Sequence, residues 1–321
     1  MTTKTGSHDP APTGEAVLAM DAGQTGVRVQ LRHGTQIVHE QEFPGVITDR
    51  PVVPQLAQFA LQALHDAAPG GDAPRVLAVG SSGLTGTESA GELKELVAAA
   101  GLERVLLAHD STTSYLGALG DTTGAVVAAG TGVVTLAVGR EAVARVDGWG
   151  NLIGDAGSGY WIGRAGLDAV MRAHDGRGPA TALTAPVLQD FDGDLDGAYM
   201  VLQADEQRVR RIAAWARTVA TLAEEGDEVC RRICLRAGEE LATSVVAGLR
   251  RVGEDSSAQP RVSTLGKVFD SPVIKESFAA QLWQHLDDVC LVEPLGTSID
   301  GAALLPRVSR TSALSTRVDV A

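Results

Sequence analysis

Residues 16–43 read AVLAMDAGQTGVRVQLRHGTQIVHEQEF, and residues 124–149 read GAVVAAGTGVVTLAVGREAVARVDGW. Each segment has an apolar run, a tight turn of small residues, a second apolar run, another turn and a third run. The first turn is DAGQTG in one segment and AGTG in the other, at matching places. A pattern that recurs in this way indicates one supersecondary unit used twice. We therefore predict two units that each open with three strands.

The chain between and beyond these segments alternates strand and helix patterns. A helical pattern at 51–68 precedes a strand pattern at 75–83, and a helix at 92–101 precedes a strand at 104–110. Such alternation favours an α/β fold with much parallel sheet. The strongly helical stretch 205–252 predicts extra helices in the second unit. The predicted fold is a two-lobed α/β fold with a duplicated βββαβαβα unit and a cleft between the lobes.

A length of 321 residues suits two lobes better than one core. The first 14 residues are polar and rich in Pro and Gly, which is typical of a disordered tail and not of a signal peptide. The predicted organisation is a tail at 1–14, an N-terminal lobe at 15–113 completed by a helix near 297–310, a C-terminal lobe at 114–296, and a tail at 311–321.

The composition excludes several classes of function. Hydrophobic residues make up 44% and charged residues 21%, as in ordinary globular proteins, and the net charge is −13. The chain has no basic run, so we expect it to bind neither nucleic acid nor a membrane surface. Three cysteines, Cys230, Cys234 and Cys290, are too few for a disulfide framework, which favours a reducing cytoplasm.

The DAGQTG turn is the first candidate binding site. Gly23 allows close approach of a phosphate to backbone N–H groups, and Gln24 and Thr25 add polar side chains. Asp21 is a hard carboxylate suited to magnesium, directly or through water. A plain glycine hairpin turn explains one copy equally well. The matching turn of Gly130, Thr131 and Gly132 favours a pair of hairpins that hold the phosphates of a nucleotide.

Asp110 ends the strand pattern RVLLAHD and directly precedes a helix. Ligands of open α/β sheets bind at this edge, and a helix N-terminus favours the ionised carboxylate. Alternatively, Asp110 simply caps the helix. Ser111 or Thr112 could cap it instead, which would leave Asp110 free for chemistry.

Residues 148–163 read GWGNLIGDAGSGYWIG. An aromatic wall at Trp149 beside the carboxylate of Asp155 suits a sugar, which has apolar faces and hydroxylated edges. The alternative is a tight loop with core aromatic residues, and we expect that role for Trp161.

In the segment STLGKVF, Gly266 and Lys267 follow a strand, where glycine lets an adenine ring lie against the backbone. An ordinary strand–helix turn is equally consistent with that segment.

Five motifs, taken together and in their order along the chain, resemble those of the N-acetylglucosamine kinases, within the BadF-like ATPases of the actin and sugar-kinase superfamily. DAGQT and AAGTG resemble the two phosphate loops, LAHD the strand of the catalytic aspartate, and TLGKVF the adenosine motif. GWGNLIGDAGSGYWIG resembles the signature usually read as GWG…GDEGS. The resemblance extends from about Val17 to Leu305 and implies an actin-like ATPase (ribonuclease H-like) fold.

The resemblance implies a kinase that phosphorylates the 6-hydroxyl of an amino sugar, N-acetylglucosamine or glucosamine, with ATP and Mg²⁺. It implies that Asp110 is the general base, that Gly148, Trp149 and Asp155 line the sugar, and that Thr131 holds phosphates. Ser82, in the turn SSGLTG that replaces the LSGG-like turn of the family, joins the sugar side. Members are often homodimers, which we also expect here.

The sequence departs from the family at four places. Ala156 replaces the GDEGS glutamate, Lys267 replaces a second glycine, SSGLTG replaces the LSGG-like turn, and Asp49 or Thr48 lies where an asparagine often contacts the sugar. An extra carboxylate at Asp49 would favour a free amine. Two alternatives stay open: an ATPase that activates a dehydratase or reductase through a cysteine-bound iron–sulfur cluster, and a sugar-sensing protein without turnover.

Overall fold

The computed structural model describes residues 15–67, 73–256 and 259–321, so the tail predicted for 1–14 lies outside the described residues. The chain divides into two compact units. The first comprises residues up to 117 together with 296–309 and 315–321, and the second comprises 118–295 and 310–314. The division at 117 falls inside a helix, a few residues after the predicted boundary at 113.

The first unit begins with three antiparallel strands followed by alternating helices and strands. These elements are β1 (Ala16–Ala22), β2 (Val27–His33), β3 (Gln36–Phe43), α1 (Val52–Asp66), β4 (Val76–Ser81), α2 (Ala90–Val97), β5 (Arg104–His109) and α3 (Asp110–Leu119). All six residues of β4 are buried, as expected for a parallel strand covered on both faces. Helix α1 buries Val52, Leu56, Ala60 and Ala63 on one face, a spacing that packs the helix on the sheet.

The second unit repeats the opening of three antiparallel strands and then adds helices. Its elements are β6 (Gly124–Ala129), β7 (Val133–Val138), β8 (Val143–Val146), α4 (Gly159–His174), α5 (Thr184–Asp190), α6 (Ala198–Ala204), α7 (Arg208–Glu224), α8 (Glu228–Val252), β9 (Arg261–Leu265), α9 (Pro272–His285) and β10 (Cys290–Leu291). The strand order is β10-β9-β6-β7-β8, with β9 parallel to β6. The predicted duplication of a three-stranded opening is therefore confirmed.

Two C-terminal elements return to the first unit: α10 (Ser298–Leu304) and β11 (Val318–Val320). Helix α10 buries Ile299 and Ala302 against Ala19 of β1. Strand β11 pairs antiparallel with β5, which gives the sheet order β11-β5-β4-β1-β2-β3. The prediction that 311–321 is a tail is therefore wrong for this strand. A three-residue strand is too short to show periodicity, and its stability comes from pairing with a distant edge strand.

The core of the second unit lies between its sheet and its helices. Cys230 and Cys234 are fully buried in α8 within this core, and Trp161 packs against it, the structural role expected for that residue. Burial raises the pKa of both thiols to about 12, so they remain protonated and unreactive. No helix within the described residues has both the length and the hydrophobicity needed to cross a membrane.

Candidate active site

In the first unit, the candidate residues lie at the carboxyl ends of three neighbouring parallel strands. The register aligns Ala22 of β1 with Ser81 of β4, and Ser81 with His109 of β5. Asp21 therefore lies one residue before this line, and Asp110 lies one residue after it, at the start of α3. The sheet brings together two carboxylates that are far apart in sequence, at the edge where α/β proteins bind ligands.

Burial disfavours the ionised form of the Asp21 carboxyl group. Its pKa is raised to about 6, mainly because burial desolvates it and also because of the negative charge of Asp110, while Arg28 acts in the opposite direction. The two carboxylates thus concentrate negative charge that the surrounding side chains only partly neutralise. A buried carboxyl group whose pKa is raised in this way is typical of functional sites.

The turn after β1 is held in one conformation by its backbone. The N–H of Gly23 donates to the carbonyl of Gly26 at 3.0 Å, and the carbonyl of Gly23 accepts from Val46 N–H at 3.0 Å. A Cβ at Gly45 would collide with the carbonyl of Gln24, so the chain after β3 lies directly against the turn. Gln24 and Thr25 remain exposed, as a phosphate-binding turn requires.

Asp110 has His109 as its nearest polar neighbour. The imidazole Nδ1 of His109 lies 2.7 Å from Asp110 Oδ1, and the Ser111 hydroxyl lies 3.0 Å from the same Nδ1. Oδ1 of Asp110 is buried, and no donor in the described residues hydrogen bonds to it. Thr113 Oγ1 donates to the Asp110 carbonyl at 3.0 Å and fixes the first turn of α3. This Oδ1 therefore does not cap the helix, the alternative considered for Asp110.

Ser82 and Asp49 lie on neighbouring segments of the first unit. Both the N–H and the hydroxyl of Ser82 donate to the carbonyl of Ala22, at 3.0 and 3.2 Å. Gly83, at φ +78°, leaves room for the methyl group of Thr48. The structure therefore brings the turn of Ser82 next to the turn of Asp49. Asp49 itself is exposed.

In the second unit, the turn of Gly130, Thr131 and Gly132 is joined to the start of α4. Gly159 N–H donates to the Gly130 carbonyl at 2.8 Å, and Tyr160 N–H donates to the Thr131 carbonyl at 3.0 Å. Gly130 has open space where a Cβ would stand, and Thr131 is exposed. The predicted phosphate turn and the predicted sugar segment are thus one local structure.

Asp155 is buried against this turn. A Cβ at Gly132 would lie only 2.7 Å from Asp155 Oδ2, so glycine is needed for the carboxylate to fit. Gly150 N–H donates to Oδ1 at 3.3 Å. Burial raises the pKa of Asp155, and the charge of Asp147 raises it further. The sequence assigned Asp155 to the sugar and Gly132 to the phosphates, and the structure places the two in contact.

Trp149 and Gly148 lie at the entrance of the same loop. The Trp149 side chain is 65% exposed, with the Arg145 guanidinium 5.8 Å from its ring centre. The Gly148 carbonyl accepts a hydrogen bond from Arg145, and Gly148 has φ +72°. Trp149 therefore presents most of its aromatic side chain to solvent, which suits a sugar platform.

Gly266 follows β9, at the same sheet edge as Gly130 after β6. Its φ is +94°, and a Cβ there would collide with the carbonyl of Ala129. Glycine is thus required by the close packing of the turn on β6, and Gly266 and Lys267 both remain exposed.

Sequence reasoning missed two residues, His109 and Asp147. His109 contacts Asp110 directly, and the adjacency HD was the available signal. Asp147 accepts N–H hydrogen bonds from both Asp155 and Ala156. The dipeptide Asp147-Gly148 indicates a turn in the sequence, but it does not show that Asp147 will bind the backbone of Asp155, eight residues later.

The residues present fit nucleotide phosphates and magnesium. No cluster of three or more His, Cys, Asp and Glu side chains that could hold a metal exists among residues 15–67, 73–256 and 259–321. Magnesium usually keeps several waters and binds one or two carboxylates together with substrate phosphates. Asp21, whose pKa is raised by the nearby charge of Asp110, and Asp110 itself match that requirement.

Comparisons with known proteins show what the chain is similar to. The chain is 24% identical to the N-acetylmuramic acid/N-acetylglucosamine kinase of Clostridium acetobutylicum over 72% of this chain and 76% of that relative. It is 30% identical to the N-acetyl-D-glucosamine kinase of Dictyostelium discoideum over 59% of this chain, an alignment that spans only 60% of that relative. A solved structure of a candidate N-acetylglucosamine kinase from Chromobacterium violaceum matches with a TM-score of 0.69 and 25% identity, over 91% of this chain and 99% of that one.

The structural match confirms the predicted fold class, the α/β fold of the actin-like sugar kinases. The family model of the BadF/BadG/BcrA/BcrD ATPases matches residues 46–305, which include Asp110, the turn of Gly130–Gly132, the loop of Asp155 and Gly266. The chain therefore belongs to the BadF/BadG/BcrA/BcrD ATPase family.

Proposed function

We propose that the protein transfers the terminal phosphoryl group of ATP to the 6-hydroxyl of an amino sugar. The observation that carries the proposal is the pair of carboxylates, Asp21 and Asp110, at the ends of neighbouring parallel strands beside a hydrogen-bonded glycine turn. The names of the relatives favour N-acetylglucosamine as the acceptor.

Asp110 acts as the general base in this proposal. A sugar hydroxyl is too weak an acid to ionise before reaction, so the carboxylate accepts its proton as the bond to phosphorus forms. The imidazole of His109 lies against Oδ1, and Oδ2 is the oxygen that we assign to the hydroxyl. General-base assistance of this kind contributes roughly 10²–10⁴-fold in rate.

The glycine turns position the phosphates. Phosphoryl transfer has a loose transition state, so orientation and charge neutralisation supply most of the catalysis. We assign Gly23, Gln24 and Thr25 in the first unit and Gly130, Thr131 and Gly132 in the second to the phosphates. Magnesium bound near Asp21, through water, would supply the charge neutralisation. Gly266 and Lys267 are assigned to the adenosine.

Five residues are assigned to the sugar. Trp149 offers an aromatic face, the Asp155 carboxylate accepts hydrogen bonds from hydroxyl groups, and Gly148 allows close approach of the backbone. Ser82 and Asp49 complete the set in the first unit. An exposed carboxylate at Asp49 would favour an amine over an acetamide. Exchanging Asp49 for Asn should then lower the preference for glucosamine over N-acetylglucosamine, and an unchanged preference would contradict this assignment.

The activator alternative needs cysteine thiolates for an iron–sulfur cluster. Cys230 and Cys234 are buried in α8 as protonated thiols. The kinase proposal therefore accounts for the site better. It includes a cytoplasmic location and a homodimer, without nucleic-acid or membrane partners.

An ADP-release assay with Mg²⁺-ATP tests the proposal. The acceptors are N-acetylglucosamine, glucosamine, N-acetylmannosamine, glucose and buffer alone. We expect turnover on an amino sugar and a loss of roughly 10²–10⁴-fold in Asp110→Asn. Asp288→Asn, the same exchange at an exposed residue, is the control. Turnover in buffer alone that no sugar changes would indicate an ATPase serving a protein partner. Sugar binding without turnover would indicate a sensor.

A further inference from the structure

Two aspartates of the loop at 147–158 adopt backbone conformations that favour glycine. Asp147 has φ +56° and Asp155 has φ +59°. Only two other non-glycine residues in the described part of the chain share this property, Asp192 and Gln259. Aspartate tolerates this region best when its side chain hydrogen bonds to nearby backbone. The hydrogen bonds of the Asp147 side chain therefore indicate why this residue adopts a positive φ.

The carboxylate of Asp147 joins the two ends of the loop. Its Oδ1 accepts from Asp155 N–H at 2.8 Å, and its Oδ2 accepts from Ala156 N–H at 3.0 Å. A third, longer contact at 3.5 Å links Trp149 N–H to Oδ1. A Cβ at Gly154 would lie 2.6 Å from Oδ1, so the carboxylate lies tightly against the loop backbone. Both oxygens are thus used inside the protein.

Packing does not provide an alternative support at the tip of the loop. Leu152 is 89% exposed and Ile153 is 84% exposed. The loop is therefore held from its base, by the Asp147 carboxylate and by the Arg145 guanidinium that donates to the Gly148 carbonyl.

We propose that Asp147 is a positioning residue that holds Asp155 and Trp149 in the geometry that binds the sugar. This inference rests on the proposed function, which assigns both residues to the sugar. The hydrogen bonds fix the backbone of Asp155 directly, and the contact with Trp149 N–H sets the start of the loop. The charge of Asp147 also raises the pKa of Asp155.

The test uses Asp147→Gly with Asp192→Gly as a matched control. Both replace an aspartate at positive φ by the residue that suits this conformation best, so the backbone should tolerate both. Asp192 is exposed and belongs to no part of the proposed site. We expect Asp147→Gly to weaken N-acetylglucosamine binding, measured by calorimetry, by about tenfold or more, since small misplacements of binding groups carry such costs. The sugar KM should rise equally, with the KM for ATP unchanged.

Amide hydrogen exchange gives a readout that does not depend on activity. In Asp147→Gly the N–H groups of Asp155 and Ala156 should exchange faster, and in Asp192→Gly they should not. Asp147→Asn keeps one acceptor oxygen and should weaken sugar binding less than Asp147→Gly does. This variant also replaces the glycine variant if that protein does not fold.

The outcomes separate this inference from the proposed function. Unchanged exchange at Asp155 and Ala156, or faster exchange with unchanged sugar affinity, would overturn the role of Asp147. A wild type that binds the sugar without turnover would contradict the kinase proposal, while the affinity ratio would still decide the role of Asp147. A wild type that binds no sugar would overturn both.

Discussion

Replacing Asp21 by Asn should stabilise the protein at neutral pH while it abolishes turnover. The pKa of Asp21 is raised from 3.8 to about 6, first by desolvation and then by the charge of Asp110. One pKa unit corresponds to about 1.4 kcal/mol, so the ionised group costs the folded state about 3 kcal/mol at most. The Asn amide avoids the cost of the charge but remains a half-buried polar group, so we expect a gain of about 1–3 kcal/mol.

The sign of the pH dependence follows from the same shift. A carboxyl with a higher pKa in the folded state binds its proton more tightly there, so stability falls as pH rises from 3.8 to about 6. Above about pH 6 the full cost is present, and below 3.8 it is absent. The advantage of Asp21→Asn over wild type should therefore be full at pH 7.5 and vanish near pH 3.5.

The assay must follow the first unit. The tryptophans Trp149, Trp161, Trp215 and Trp283 all belong to the second unit, so their fluorescence would report on the wrong part of the chain. Amide exchange of the β1 strand, measured without metal or nucleotide, follows the unit that contains Asp21. Asp288→Asn serves as the control. A loss of stability in Asp21→Asn at pH 7.5, or a gain that persists at pH 3.5, would refute the reasoning.

Three further predictions concern the remaining contacts. His109→Leu should lower kcat by about tenfold or more with little change in either KM, because the His109 imidazole lies against Asp110 Oδ1 and a misplaced carboxylate carries such a cost. His109→Asn, which restores a polar group, should recover part of the rate, and equal rates in both variants would contradict this role. Gly266→Ala should destabilise the second unit by about 2 kcal/mol or more, because φ at this position is +94° and the new Cβ would collide with the Ala129 carbonyl. The loss should appear as a lower Tm in tryptophan fluorescence, and an unchanged Tm would contradict the packing. The pKa of Asp155 is raised, so its carboxylate takes up a proton at a higher pH than an ordinary aspartate does. As the pH is lowered, sugar affinity should therefore begin to fall at that higher pH. Asp155→Asn should remove this dependence in calorimetric titrations.

The sequence was sufficient for the repeated strands and for the carboxylates at their ends. Asp21 lies near the end of one apolar strand and Asp110 directly follows another, and the carboxyl ends of parallel strands meet at one sheet edge. Their proximity could therefore be predicted without coordinates. Gly130 was identified from the repeated turn and Gly266 from the strand that precedes it, and the structure shows that their strands, β6 and β9, are parallel neighbours.

What the sequence did not reveal depends on contacts between distant residues. Strand β11 is stabilised by its pairing with β5, which no local pattern encodes. The role of Asp147 depends on a loop that returns to it after eight residues. The contact of Asp155 with Gly132 depends on how α4 docks on the β6–β7 turn. Local patterns thus identify the groups that carry charge, whereas tertiary contacts decide how those groups are held.

The most direct test of the central claim is the identity of the phosphorylated product. Enzyme, Mg²⁺-ATP and N-acetylglucosamine are incubated until part of the ATP is consumed, and products are quantified by phosphorus NMR and mass spectrometry. We predict one sugar 6-phosphate for each ADP formed, and neither product in excess of background with Asp110→Asn. ADP accompanied by free phosphate, without any sugar phosphate, would contradict the account.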